Sequence, residues 1–95
     1  MKFSDATTAA WIAKLSEETN EVVQEAVILK DCADELGTVD HDVYGIVDVK
    51  NRLATELMDV ITLCTSWLDA FGYDEEQRGE LQRLVNEKNK ARGYF

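Results

Sequence analysis

The sequence has no proline, only five glycines, and no apolar run that approaches the roughly 20 residues needed to span a bilayer. The last absence argues against a membrane protein. With 45% hydrophobic residues, the chain is too apolar for a disordered acidic tail, and we expect one folded domain over residues 1–95. A chain of this size buries only about 60 to 65% of its unfolded surface, so another subunit is expected to complete its core.

Positive charge is scarce. Ten Lys and Arg residues face nineteen Asp and Glu residues, which gives a net charge of −9 at pH 7. Nucleic acid and anionic membranes are therefore poor partners by bulk charge. The excess of acidic side chains therefore needs another explanation.

Cysteine and histidine are also few. Cys32 and Cys64 form no CxxC or Cys/His pattern, which leaves neither a zinc site nor a disulfide framework. Together with a start that lacks the apolar segment of a secretory signal, this predicts a reduced, cytoplasmic setting. The single histidine, His41, has no carboxylate at Glu-x-x-His spacing, so a ferritin-like di-iron site is disfavoured.

Helix signals dominate the rest of the chain. Ser4 is a candidate N-cap, no glycine interrupts the chain before Gly37, and Asp74 follows Gly72 as a second candidate cap. The first segment suits one long helix or two shorter ones, and the residues after it suit an ordered loop. No segment alternates as a strand does. We predict an all-α, antiparallel bundle of three to four helices per chain, with helices at about 5–36, 48–71 and 74–92.

Several acids fall on the apolar side of these helices. On a helical wheel, Glu18 lies within the stripe that runs from Trp11 to Ala33, with Glu21 and Glu25 at its margin. In the second helix Glu56 lies near the middle of the stripe, and Asp59 lies one turn further on. A surface helix would direct such acids away from its stripe.

Carboxylates are almost never buried without a partner, because their desolvation costs several kcal/mol each. Glu18 with Glu21, and Glu56 with Asp59, form two i, i+3 pairs that converge if the helices pack antiparallel. Four carboxylates make an oxygen-only site suited to Mg²⁺, with Mn²⁺ as an alternative. The competing interpretation is a solvated surface, which is the more frequent one for either pair alone.

The last helix brings Lys88 and Arg92 onto one face, with Asn89 beside them. Near a metal site these groups could hold phosphate oxygens, although cations are also favoured at any helix C-terminus by the helix dipole. Three aromatic residues, Trp11, Trp67 and Tyr94, could stack on a base. Tryptophans at helical spacing are more often part of a core.

The motif Glu17-Glu18-Thr19-Asn20-Glu21 resembles EExxE, and Glu56-Leu57-Met58-Asp59 resembles ExxD, of the MazG-like all-α nucleoside triphosphate pyrophosphohydrolases. The basic end, residues 88–95, is similar to the C-terminal segment of many members. The likeness covers nearly the whole chain, in the family's order, and is closest to the compact, single-domain members such as those encoded in integrons. Residues 37–50 carry no family signature, which leaves base recognition undefined.

The resemblance implies that Glu18, Glu21, Glu56 and Asp59 bind Mg²⁺. It also implies that Lys88, Asn89 and Arg92 contact the nucleotide. The family hydrolyses nucleoside triphosphates to the monophosphate and pyrophosphate, and Glu17, Glu21 and Glu25 are candidates for the general base. Members form dimers or dimers of dimers with a four-helix core.

The leading hypothesis is therefore a Mg²⁺-dependent pyrophosphohydrolase that removes unwanted nucleotides, with deoxynucleotides as the expected substrates. A non-catalytic helical interaction module is the alternative from another class. A nucleotide sensor without turnover is the third.

Overall fold

The computed structural model describes residues 7–36 and 45–94, which form three helices. They are α1 (Thr8–Leu36), α2 (Ile46–Ala70) and α3 (Glu75–Ala91). No strand occurs in these two ranges, so the predicted all-α class is confirmed. Over the same residues, no helix combines the length and the apolar character that a membrane crossing requires.

The first segment is one continuous helix of 29 residues. It begins at Thr8, later than the predicted start near residue 5, and the hydroxyl of Thr7 accepts the N–H of Ala10 at 3.2 Å. A threonine therefore caps α1, because its side chain satisfies one of the free N–H groups of the first turn. The predicted cap, Ser4, lies outside the described residues.

The remaining boundaries lie close to their predicted positions. α2 begins at Ile46, two residues early, and ends before Gly72, whose φ of +88° is readily adopted only by glycine. Asp74 then caps α3: its side chain accepts the N–H of Gln77 at 2.8 Å, and the Gln77 side chain accepts the N–H of Asp74 at 2.9 Å. The predicted loop after Gly37, with His41, lies almost wholly outside the described residues.

Helices α1 and α2 pack against each other as an antiparallel hairpin. Near the start of α1, the ring of Trp11 stacks on the ring of Trp67 near the end of α2, with centroids 5.6 Å apart and planes 6° from parallel. Trp11 is only 2% exposed, and Val49 and Leu63 of α2 are also buried. The predicted apolar side of each helix therefore lies in the interface between the two helices, whereas Cys64 and Phe71 of α2 are exposed.

The third helix is not part of the core that the described residues form. No residue of α3 is buried, and Arg78 Nη1 of α3 lies 4.0 Å from Asp69 Oδ1 of α2. Three apolar side chains of α3, Leu81, Leu84 and Val85, are exposed. Within one chain the bundle is a two-helix hairpin, and α3 is not a third member of its core.

The tryptophan stack allows a direct test of the hairpin register. Because the rings of Trp11 and Trp67 stack with centroids 5.6 Å apart, we expect the substitutions Trp11→Phe and Trp67→Phe to be energetically coupled. Each should lower the free energy of unfolding, and the second should cost less once the first is made. A double-mutant cycle on the pair should give a coupling free energy of about 0.5 to 1.5 kcal/mol by urea denaturation.

The matched control combines Trp11→Phe with Tyr94→Phe, because Tyr94 is 70% exposed at the end of the chain. This cycle should give no coupling free energy. A coupling free energy near zero for Trp11 and Trp67 would show that the helices pair in another register.

Candidate metal centre

Three glutamates from the two helices of the hairpin come together at its centre. One carboxylate oxygen each of Glu18, Glu21 and Glu56 lies within 4.8 Å of the others. Glu18 and Glu21 are three residues apart on α1, so they project from the same side of that helix about one turn apart. The antiparallel packing of α2 places Glu56 opposite them. We call these residues the carboxylate cluster.

The cluster is partly buried and incompletely satisfied. Glu18 is 9% exposed, and its Oε2 atom is buried without a hydrogen-bond partner. Oε2 of Glu56 is buried without a partner in the same way. Two orphaned carboxylate oxygens in a helix interface are costly unless a cation or a donor meets them.

The charges in the cluster also favour a bound cation. A hydrogen bond with the carboxyl group of Glu56 raises the pKa of Glu21 above its ordinary value of 4.5, with contributions from burial and from the charges of Glu18, Glu56 and Glu17. The three carboxylates therefore repel one another in the metal-free protein.

A divalent cation fits this set of ligands. All the converging atoms are carboxylate oxygens, which Mg²⁺ and Mn²⁺ prefer. Neighbouring oxygens around an octahedral Mg²⁺ lie about 3 Å apart and opposite ones about 4.2 Å apart. The cluster oxygens lie within 4.8 Å of one another, so rotation of the side chains would have to bring them closer together by on the order of 1 Å to bind one ion.

The fourth predicted ligand, Asp59, does not belong to the cluster. Its side chain is exposed, and it lines a neighbouring pocket of about 240 Å³ together with Lys14, Glu18 and Ser66. Glu17, a predicted catalytic residue, is exposed and pairs with Lys14 Nζ at 3.4 Å. The structure thus joins three of the four predicted ligands and places Asp59 and Glu17 at the edge of the site.

A second pocket, of about 340 Å³, adjoins the cluster on the other side and shares Glu56 with it. Arg52 lies there, and its Nε donates to Glu25 Oε2 at 3.2 Å across the helix interface. Glu25 is thereby held in an ion pair. Asn51 and Thr55 also line this pocket.

Two cationic side chains beside the cluster, those of Lys14 and Arg52, were not predicted from the sequence. Lys14 was detectable, because a lysine four residues before Glu18 has the spacing of a helical ion pair. The partner of Arg52 is 27 residues away in the chain, and no local pattern indicates it.

The predicted nucleotide-binding residues of the last helix lie away from the cluster within one chain. Lys88 and Arg92 are exposed and, among the described residues, form no side-chain hydrogen bond or ion pair. Asn89 is half-buried, and its carbonyl accepts the N–H of Tyr94 at 2.9 Å. Their predicted role therefore requires another chain or a movement of α3.

The aromatic residues predicted to meet a base differ in their placement. Trp11 is core and stacks on Trp67, as described above. Trp67 is half-buried beside an apolar pocket of about 390 Å³, and its indole N–H is buried without a partner. Tyr94 is 70% exposed.

Comparison of the chain with family models, with curated proteins and with solved structures gave no match. The likeness to the MazG-like enzymes therefore rests on the motifs alone.

Neutralising one cluster carboxylate should stabilise the metal-free fold. The raised pKa of Glu21 means that its protonated form contributes stability at low pH, and that this stability is lost as pH rises through the folded-state pKa. In Glu21→Gln the side chain at this position is uncharged at every pH, so the variant does not lose this stability. In a buffer that contains a metal chelator, the melting temperature of Glu21→Gln should exceed that of the wild type. This difference in melting temperature should increase with pH.

Glu80→Gln is the control, since Glu80 pairs with Arg83 on α3, away from the cluster. This variant should show no increase in melting temperature. If Glu21→Gln melted below the wild type at every pH, the carboxylates would not be repelling one another.

Proposed function

We propose that the protein is a cytoplasmic, Mg²⁺-dependent nucleoside triphosphate pyrophosphohydrolase of the MazG-like type. It hydrolyses nucleoside triphosphates, with deoxynucleotides expected, to the monophosphate and pyrophosphate, and so removes unwanted nucleotides. One observation carries the proposal. Glu18, Glu21 and Glu56, which occupy positions of the EExxE and ExxD motifs, converge between two helices with two buried oxygens lacking partners.

On this proposal the carboxylate cluster holds the metal, and Asp59 joins it from the neighbouring pocket. When bound, Mg²⁺ offsets the charge of phosphate oxygens and makes a bound water more acidic. Leu63, which lines the neighbouring pocket together with Glu18, is buried. The net charge of −9 is compatible with a phosphate substrate, because the cation offsets part of the negative charge of the cluster.

Two carboxylates remain candidates for the group that takes a proton from the attacking water. Glu21 lies in the cluster, and the neighbouring carboxyl group of Glu56 raises its pKa. Glu17 lies at the solvent edge. Glu25, the third candidate, is occupied by Arg52, which makes it the least suited of the three.

Lys88, Asn89 and Arg92 would contact phosphate oxygens from a second chain, since their own chain leaves them away from the cluster.

The product assay is the direct test of this function. Incubation with ribo- and deoxynucleoside triphosphates and Mg²⁺ should yield the monophosphate and pyrophosphate. Glu56→Gln should lower the rate by more than about 100-fold, since even residues that only support a metal ligand cost 10- to 100-fold. Its helix content should be unchanged by circular dichroism.

Glu80→Gln should keep full activity in the same assay. Release of orthophosphate alone, or no turnover of any substrate, would refute the pyrophosphohydrolase. Stabilisation by nucleotide and Mg²⁺ without products would identify a sensor instead, and no effect of Mg²⁺ on the melting temperature would favour the interaction module.

We further propose that two chains associate to complete a four-helix core. The chain exposes 7092 Å², about 1,600 Å² more than the roughly 5,500 Å² expected for a monomer of this mass. A standard interface buries about 800 Å² per partner. The radius of gyration, 16.8 Å, likewise exceeds the value of about 12 Å for a compact chain of 95 residues.

The surface that a second copy would cover lies opposite the cluster. Leu15 of α1 and three residues of α2, Cys64, Leu68 and Phe71, line the apolar pocket beside Trp67. Helical spacing continues this surface through exposed Ile12, Leu57 and Ile61. Two such hairpins, packed through these surfaces, would form the four-helix bundle.

Ile61→Asp should convert the dimer to a monomer in analytical ultracentrifugation. The side chain is 55% exposed in one chain, so the charge is tolerated by the monomer but not by a buried interface. Ile28→Asp is the matched control, because Ile28 is also exposed but lies on the other side of the hairpin. A wild type that sediments as a monomer at all concentrations would contradict the proposal.

A further inference from the structure

One positive side chain already touches the carboxylate cluster. Lys14 Nζ lies 3.1 Å from Glu18 Oε1 and 3.4 Å from Glu17 Oε1. Glu18 is the most buried member of the cluster, and its other oxygen has no partner. The ammonium therefore partly satisfies the carboxylate that most needs a cation.

Lys14 shares a pocket with Glu18 and with the predicted fourth ligand, Asp59. Its side chain lines this pocket of about 240 Å³ and is about one-third exposed. Among the described residues, the side chain of Asp59 forms no hydrogen bond or ion pair. The positive charge thus lies on the side of Glu18 from which Asp59 would approach the cluster.

We propose that Lys14 is the resident counter-cation of Glu18 in the metal-free protein, and that a divalent cation must displace it to bind the cluster. This inference rests on the proposed metal site and adds a residue that sets its affinity. An ammonium and a divalent ion on the same carboxylate repel each other at short range. This repulsion favours release of the lysine from Glu18 when the metal binds.

Displacement is feasible because Lys14 is not locked in place. Its partners are two carboxylates of its own helix, at i+3 and i+4. Such pairs contribute little to helix stability, and a lysine side chain has several rotatable bonds that lead to solvent. The competition protects Glu18 while the site is empty and raises the metal concentration needed to fill it.

Direct binding of Mn²⁺, without any nucleotide, tests this role. Titration calorimetry on the full chain should show that Lys14→Met binds Mn²⁺ roughly tenfold more tightly than the wild type, because one competing charge is removed at short distance. Lys30→Met is the matched control. Lys30 forms an i, i+4 pair with Asp34 on the same helix, and both side chains are exposed.

The control variant should bind Mn²⁺ as the wild type does. Unchanged or weaker binding by Lys14→Met would overturn the inference and leave the metal site intact. Equal gains in Lys14→Met and Lys30→Met would also overturn it, since net charge alone would then explain them. A wild type that binds no Mn²⁺ would refute the proposed metal site itself. Lys14→Gln replaces the methionine variant if circular dichroism shows that Lys14→Met has lost helix.

Discussion

Glu18, Glu21 and Glu56 meet in the interface between α1 and α2, and the packing of the hairpin has to accommodate these three carboxylates. Carboxylates in a helix interface oppose folding, because they lose hydration and repel one another. The tryptophan stack and the buried Val49 and Leu63 offset that cost on either side. The ammonium of Lys14, which lies 3.1 Å from Glu18 Oε1, reduces it further.

The same constraint gives the hairpin two unlike sides. On one side, acids surround the cluster, and Lys14 and Arg52 flank it in adjoining pockets. On the other side, the lining is apolar and includes Leu15, Leu68 and Phe71. An acidic side suits a cation and its phosphate ligand, whereas an apolar side suits another protein surface. Helix α3, which buries no residue, is also consistent with a chain that is completed by a partner.

Much of the fold follows from local chemistry. Gly72 and the N-cap Asp74 are sequence features, and both lie where the pattern predicted them. The long segment before Gly37 left one helix or two open, and the continuous α1 decides for one. The position of α3 was not predictable, because its weak apolar stripe buries no residue against the described part of the chain and no local pattern specifies a partner.

The sequence by itself determined the helical class, the helix boundaries to within a few residues, and the placement of Glu18 on the apolar side of α1. It determined these because helical periodicity and capping are local. Only the tertiary structure decided that Glu56 joins Glu18 and Glu21 while Asp59 stays apart, and that Lys14 and Arg52 flank the cluster. Those relations depend on the register of two antiparallel helices, which the Trp11–Trp67 stack sets across 56 residues of chain.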